Sequence, residues 1–413
     1  MTKVKFLILG AGPTGLTFAR KLKDAGENSF LVLEKEEVAG GLCRSVEVDG
    51  SPFDIGGGHF LDVRRPKVNE FLFRFLPESE WNLYERDSRI ELDQMTISHP
   101  FEANIWQMDM EHQISYLISI SGAGCNRKEP MPERFVDWIK WKLGEKIAED
   151  YMLPYNQKMF ADELNELGTY WLEKLPDVSF EETLRSCLAH KAYGTQPGHA
   201  SFYYPKKYGY GEVWERIAKS MPDHVLYGQT VNTIDCDKRQ VRVASGECFE
   251  ADHIITTIPW NEFVHISGMP EELTSSIREL KSSAVETRYV PDNLDTAAHW
   301  IYIPGRDKPY HRILVRHNFC EGSRGYWLET RRERCAEYKG DENFRYMNEY
   351  AYPLNTINKP EIMRDLLKFA ESRNIIGLGR WGEHNHYNSD VVVERAMKLA
   401  DDCIDKCWYS YGE

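Results

Sequence analysis

The residues best placed to do chemistry come early: Gly10-Ala11-Gly12-Pro13-Thr14-Gly15 is a Gly-x-Gly-x-x-Gly turn, and Glu34 stands nineteen residues beyond its last glycine. Gly10 permits a tight turn, Gly12 lets the backbone approach a pyrophosphate, and Gly15 lets a helix pack on a strand. Pro13 and Thr14 open that helix, whose N-terminal N–H groups suit phosphate, and a carboxylate at Glu34, followed by Lys35, can accept ribose hydroxyls. Glycines at this spacing with an acid at this distance point to a bound dinucleotide. No Cys-x-x-Cys, metal-ligand cluster or nucleophile-base triad competes for a catalytic role.

The elements that must position these residues follow from pattern. Val4–Leu9 is an apolar run of strand length, Leu16–Ala25 has helical periodicity, and Phe30–Leu33 is a second strand ending at Glu34, which together make a βαβ unit. Beyond it, residues 1–95 read as β-α-β-rich, about 100–165 as helical and aromatic, and about 265–350 as strand-like; the last fifty return to strand, glycine turn and long helix. A chain of 413 residues can bury two or three cores without disulfides or metal. The expected class is α/β: a Rossmann-like dinucleotide domain (1–95, 205–262 and 352–413) with an inserted helical domain (96–168) and an inserted antiparallel-sheet domain (169–204 and 263–351).

Composition excludes some partners. A net charge of -14 repels polyanions, and no basic run interleaved with aromatics offsets it, which argues against nucleic acid. No run approaches the ~20 apolar residues of a membrane span. The first apolar run is stopped by Gly10, too short for a secretory signal, and the nine cysteines are scattered, so a reducing cytoplasm is expected.

Further segments carry a resemblance. Val38-Ala39-Gly40-Gly41-Leu42-Cys43-Arg44-Ser45 resembles the second pyrophosphate-contacting turn of the glutathione-reductase-like flavoproteins, which implies FAD as the cofactor, with Gly41, Leu42 and Arg44 in contact. Phe53-Asp54-Ile55-Gly56-Gly57-Gly58-His59-Phe60 is a bend whose glycines would let backbone run along an isoalloxazine edge. Tyr227–Ile234, containing Val231, and Ala251–Pro259 look like later strands of that domain. Gly379-Arg380-Trp381-Gly382 and His386-Tyr387-Asn388-Ser389-Asp390 resemble its C-terminal flavin motif, with Arg380 and Asn388 near the flavin and Asp390 capping the last helix.

Tyr151-Met152-Leu153-Pro154-Tyr155-Asn156-Gln157-Lys158-Met159-Phe160 resembles the motif that cradles the uridine in the UDP-galactopyranose mutase family, with Phe160 in place of a tryptophan. Several further segments resemble that family, especially its eukaryotic branch. Lys174 stands where the family has a diphosphate-gripping arginine. Trp300-Ile301-Tyr302-Ile303-Pro304 and Pro309-Tyr310-His311-Arg312 resemble paired strands that turn a tyrosine and an arginine toward the diphosphate. Tyr352 matches a phosphate-contacting tyrosine, Phe319 replaces another, and His386, or Tyr387 after a one-residue shift, takes the place of a third.

The resemblance implies a mutase that interconverts pyranose and furanose forms of a nucleotide sugar, by default a UDP-sugar. Reduced flavin N5 would attack the anomeric carbon without net redox, with NAD(P)H or another reductant as activator. His59 would act chiefly through its backbone, and Lys174, Tyr302, Arg312, Tyr352 and His386 would serve the diphosphate. Two alternatives stay open: an FAD oxidase or dehydrogenase of the amine-oxidase or protoporphyrinogen-oxidase type, and a non-catalytic binding module.

Overall fold

The computed structural model describes residues 1–93, 95–172, 178–194, 200–341 and 343–409. Its first sheet is the expected Rossmann-like core. Strand Thr2–Leu9 lies between Phe30–Leu33 and Cys248–Thr256, parallel to both, and Val225–Leu226 and Ile375–Gly377 extend the parallel set. An antiparallel run, Gln240–Val243 and then Val231–Asp235, continues the sheet to His265–Ser267. Leu7, Ile8 and Leu9 are fully buried, because helices cover both faces and a central parallel strand must be apolar on each. Each such side chain contributes about 1.5–3 kcal/mol of burial.

The first helix runs Pro13–Asp24, three residues earlier than the apolar periodicity begins, because proline is accommodated in a first turn where its missing N–H is not needed. Gly15 faces the strand side so closely that a Cβ there would lie 2.1 Å from the Gly10 carbonyl oxygen. The last helix, Ser389–Tyr409, packs against the first.

A seven-stranded sheet forms the second layer, in the order Arg345–Pro353, Ser282–Val290, Tyr326–Arg331, Arg312–Leu314, Trp300–Tyr302, Ser88–Leu92, Met95–Ser98. It is antiparallel throughout, except where Ser88–Leu92 runs parallel to Trp300–Tyr302. Helices Met110–Ser121, Phe135–Ile147 and Phe180–Ala189, with the π-turn Ala148–Met152 leading into Leu153–Met159, form a helical layer. Its apolar side shares one core with this sheet, including Phe101, Trp138, Tyr151 and Val285. A small antiparallel sheet is formed by Leu61–Asp62, Ser201–Pro205 and Trp81–Glu85. Among the described residues no helix is long and apolar enough to cross a membrane.

Candidate active site

A cavity of about 260 Å³ opens at the carboxyl ends of the parallel strands, where open α/β sheets take their ligands. Gly10, Gly12, Pro13 and Thr14 form one wall, Glu34 and Lys35 the next, and Gly41, Leu42 and Arg44 the third; Val231, His59, Arg380 and Tyr387 complete the lining. Gly10 holds φ +99°, a left-handed conformation that glycine adopts without strain. A Cβ on Gly41 would come within 3.3 Å of Gly12 Cα, so the two glycine turns lie against each other at the same wall.

Glu34 is buried at the end of its strand. Its Oε2 accepts the Ala11 N–H at 2.7 Å and its Oε1 the Glu36 N–H at 3.1 Å. Burial pushes its carboxyl up, against the pull of these two donors. Arg44 donates from Nε to the Gly41 carbonyl and from Nη2 to Tyr346 Oη, and its Nη1 lies 3.3 Å from Glu36, so the second glycine turn is braced by its own arginine.

Arg380 is enclosed at the cavity wall, and all of its hydrogen bonds end on carbonyls: Tyr387 O at 3.0 and 2.8 Å, and Ala351 O at 3.0 Å. Among the described residues no carboxylate pairs with it, and burial lowers its basicity. A guanidinium enclosed without a counter-charge fits an anionic ligand in the cavity. The glycine walls, the buried acid at the strand end and this cation together suit an anionic dinucleotide.

His59 also lines the cavity, with Nδ1 3.2 Å from the Gly57 carbonyl oxygen and its ring stacked on Tyr210. Burial, then the charge of Arg380, holds its imidazole down at about 4, so the ring is neutral near pH 7. The bend before it packs closely on the seven-stranded sheet. A Cβ on Gly57 would fall 1.9 Å from Glu329 Oε1, and one on Gly58 would fall 2.4 Å from Leu314 Cδ2. These two glycines therefore make room for the seven-stranded sheet.

Beyond His59 lies a cluster of aromatic and charged residues. Cross-strand register sets Tyr302 opposite Arg312. Tyr302 Oη accepts from Arg86 Nη2 at 3.2 Å and from Trp300 Nε1 at 3.1 Å, which leaves its own proton to be donated. The rings of Tyr151, Tyr155 and Tyr302 follow one another at 5.8 and 5.4 Å, and Phe160, Tyr352 and His386 form a second group at 4.9–6.4 Å. Arg312 is held in a two-point ion pair by Glu329, at 2.7 Å through Nε and 2.8 Å through Nη2.

Several expected residues take other positions. Asn156 is buried and donates to the Met152 carbonyl of its own helix. Phe319 lies in the core, 5.0 Å from Tyr204 and 5.4 Å from Trp327 between ring centroids, so the missing hydroxyl is not missing from this cluster. Gly379, at φ +77°, meets Thr14, and Asn388 accepts a helical N–H from Val392. Asp390 stands inside the first turn of its helix, not before it, and its carboxylate is paired with Arg65 at 2.6 Å. Lys174 lies outside the described residues.

The sequence reading passed over Glu329, Arg86, His99 and Lys158. Lys158 is fully buried, donates to the Ile303 and Tyr310 carbonyls, and is pulled down to about 7 by burial and then by Arg334. His99 Nδ1 lies 3.0 Å from Arg86 and its ring 4.9 Å from that of Tyr302. Glu329 lies inside a strand, and a polar residue within a strand-like alternation gives no sign from sequence that it is paired and buried.

This geometry can be set beside known proteins. A UDP-galactopyranose mutase of Mycoplasma pneumoniae (strain ATCC 29342 / M129 / Subtype 1) is 22% identical over 97% of this chain and 96% of its own. A crystal structure of reduced UDP-galactopyranose mutase superposes with a TM-score of 0.86 at 23% identity, covering 98% of this chain and 94% of that one. Wild-type putrescine oxidase bound to putrescine gives 0.64 at 14% identity, with 98% and 99% covered. Residues 13–289, which hold the end of the first glycine turn, the second turn, the bend and Glu34, match flavin-containing amine oxidoreductases, and the chain belongs to that family.

Proposed function

We propose that the protein is an FAD-dependent mutase that interconverts the pyranose and furanose forms of a nucleotide sugar, with a UDP-sugar as substrate. The observation that carries this reading is the pairing of a dinucleotide cavity with a tyrosine-arginine face beside it, Tyr302 opposite Arg312, in a chain similar to UDP-galactopyranose mutases along nearly its whole length. The bound and reduced flavin would supply nucleophilic N5 chemistry at an anomeric carbon without net redox, NAD(P)H or another reductant keeping it reduced.

The chain's own residues supply position and charge. Glu34 receives the adenosine ribose, and the turns at Gly12 and Gly41 admit the pyrophosphate. Arg380 balances negative charge at the ring. Neutral His59 cannot act as an acid near pH 7, so its part is to hold the bend. Tyr302 donates to a phosphate oxygen, Arg312 offers the Nη1 that Glu329 leaves, and Tyr352 closes the same face. Tyr151, Tyr155 and Phe160 enclose the base, His386 or Tyr387 stands in for a tyrosine beside the diphosphate, and Lys174 is assigned to the diphosphate by its place in the sequence alone. In this reading residues 1–95, 205–262 and 352–413 hold the cofactor and the two insertions hold substrate, in the cytoplasm.

The likeness to putrescine oxidase favours a second reading, amine oxidation. Anaerobic incubation of dithionite-reduced holoprotein with UDP-galactofuranose, followed by chromatography, tests the first: UDP-galactopyranose is the expected product. No conversion, together with hydrogen peroxide from putrescine in air, would replace the mutase with an oxidase.

A further inference from the structure

Glu329, on strand Tyr326–Arg331 and 1% exposed, touches both halves of the site. Its Oε1 accepts the Gly58 N–H at 3.2 Å, one residue before the cavity-lining His59. Its two oxygens clasp Arg312, and its Oε2 lies 3.2 Å from His311 Nε2, whose imidazole is fully buried. Gly57 has no room for a side chain because Oε1 occupies that space. One carboxylate therefore fixes the backbone at the flavin-side bend and the guanidinium at the diphosphate side.

Resting on the nucleotide-sugar reading above, we infer that Glu329 is a positioning residue that couples the two sides: its charge restrains Arg312 from the diphosphate and sets the electrostatic potential at the bend. A ligand phosphate must share or relieve the Arg312–Glu329 pair. Whatever relaxes that pair changes the hold on Gly58. Burial alone would push the Glu329 carboxyl up, but Arg312 and then His311 overcome it and hold it at about 2, so the charge persists at neutral pH.

The sign of the response separates coupling from scaffolding. Glu329→Gln keeps an acceptor for Gly58 and a partner of the same shape for Arg312, yet removes the negative charge. The flavin midpoint potential of the ligand-free holoprotein should then rise, because less negative charge opposes electron uptake. UDP, followed by calorimetry, should bind on the order of tenfold more tightly as Arg312 gains net charge. Arg312→Ala should shift the potential the other way and weaken UDP, while Glu329→Asp, which keeps the charge, should stay near the unmodified protein in potential.

Loss of a mere scaffold would loosen the bend in both variants, move both potentials together and weaken UDP in both. The inference is overturned if Glu329→Gln leaves or lowers the potential, if Arg312→Ala raises it too, or if Glu329→Gln weakens UDP. An unmodified protein that takes up no UDP would defeat the nucleotide-sugar reading instead, and the ligand-free potentials would still decide the role of Glu329.

Discussion

Arg312→Ala should destabilise the protein by about 3 kcal/mol at pH 7, and the deficit should shrink in acid. Glu329 is held at about 2 against a usual value of 4.5 although it is buried, because Arg312 and then His311 outweigh desolvation. A depression of this size is worth ~3 kcal/mol at about 1.4 kcal/mol per pH unit, within the range seen when a buried pair loses one partner. The folded-state pKa lies below the unfolded one, so the stabilisation is complete above about 4.5 and is lost as pH falls toward about 2. Urea denaturation of the holoprotein at pH 7, and in steps below pH 4.5, measures both the deficit and its decline. Arg312→Ala with Glu329→Gln should recover more than half of it, because no unpaired charge remains. A deficit under ~1 kcal/mol at pH 7, a deficit independent of pH, or a double variant no better than the single one would refute the argument.

Other consequences are as direct. Glu34→Ala removes the ribose acceptor and strands the Ala11 N–H, so FAD affinity should fall roughly ten- to a hundredfold, read from flavin fluorescence on dilution; retained affinity would detach Glu34 from the cofactor. Gly15→Ala drives a Cβ to 2.1 Å from the Gly10 carbonyl oxygen and should lower stability by ~2 kcal/mol or more, measured by thermal unfolding. Asp54 is buried and pushed up to about 7 by desolvation, so the folded state keeps a proton that the unfolded chain releases, and stability is lost as pH rises through about 7. Asp54→Asn should accordingly gain on the unmodified protein between pH 5 and pH 8, by roughly 2 kcal/mol in denaturant midpoints. Tyr302→Phe should weaken UDP binding by ~1–2 kcal/mol, and unchanged binding would remove its hydroxyl from the site.

The Rossmann-like unit could be read from sequence because its demands are local. Strand, glycine turn, helix and acid follow within thirty-odd residues, and Gly10, Gly12 and Glu34 lie where the spacing puts them. The pairing of Tyr302 with Arg312 was also anticipated, through the resemblance of their two segments to the family's paired strands. Contacts made across long sequence separations were not. Glu329 meets Gly58, and Arg86 meets Tyr302, through the seven-stranded sheet, and nothing in Tyr326–Arg331 marks the glutamate as inward-facing. The same distance hid a further constraint on Gly57 and Gly58, whose side-chain space is taken by Glu329 and Leu314. Phe319 misled for the converse reason: a substitution at a matched position looks like a lost hydroxyl until its ring is seen in the core.

The neighbours of the first strand have a consequence for assembly. Thr2–Leu9 is synthesised long before Cys248–Thr256, its partner on one flank, and that strand in turn waits for Ile375–Gly377. Until then Leu7 and Leu9 lack the partners that bury them, and the nascent chain carries a sticky apolar edge until those strands emerge. Sheet closure is thus a long-range event, and the glycine turns acquire their final shape only when these distant strands have joined. Early translational arrest should yield fragments that seek chaperones, with no half-built nucleotide pocket among them.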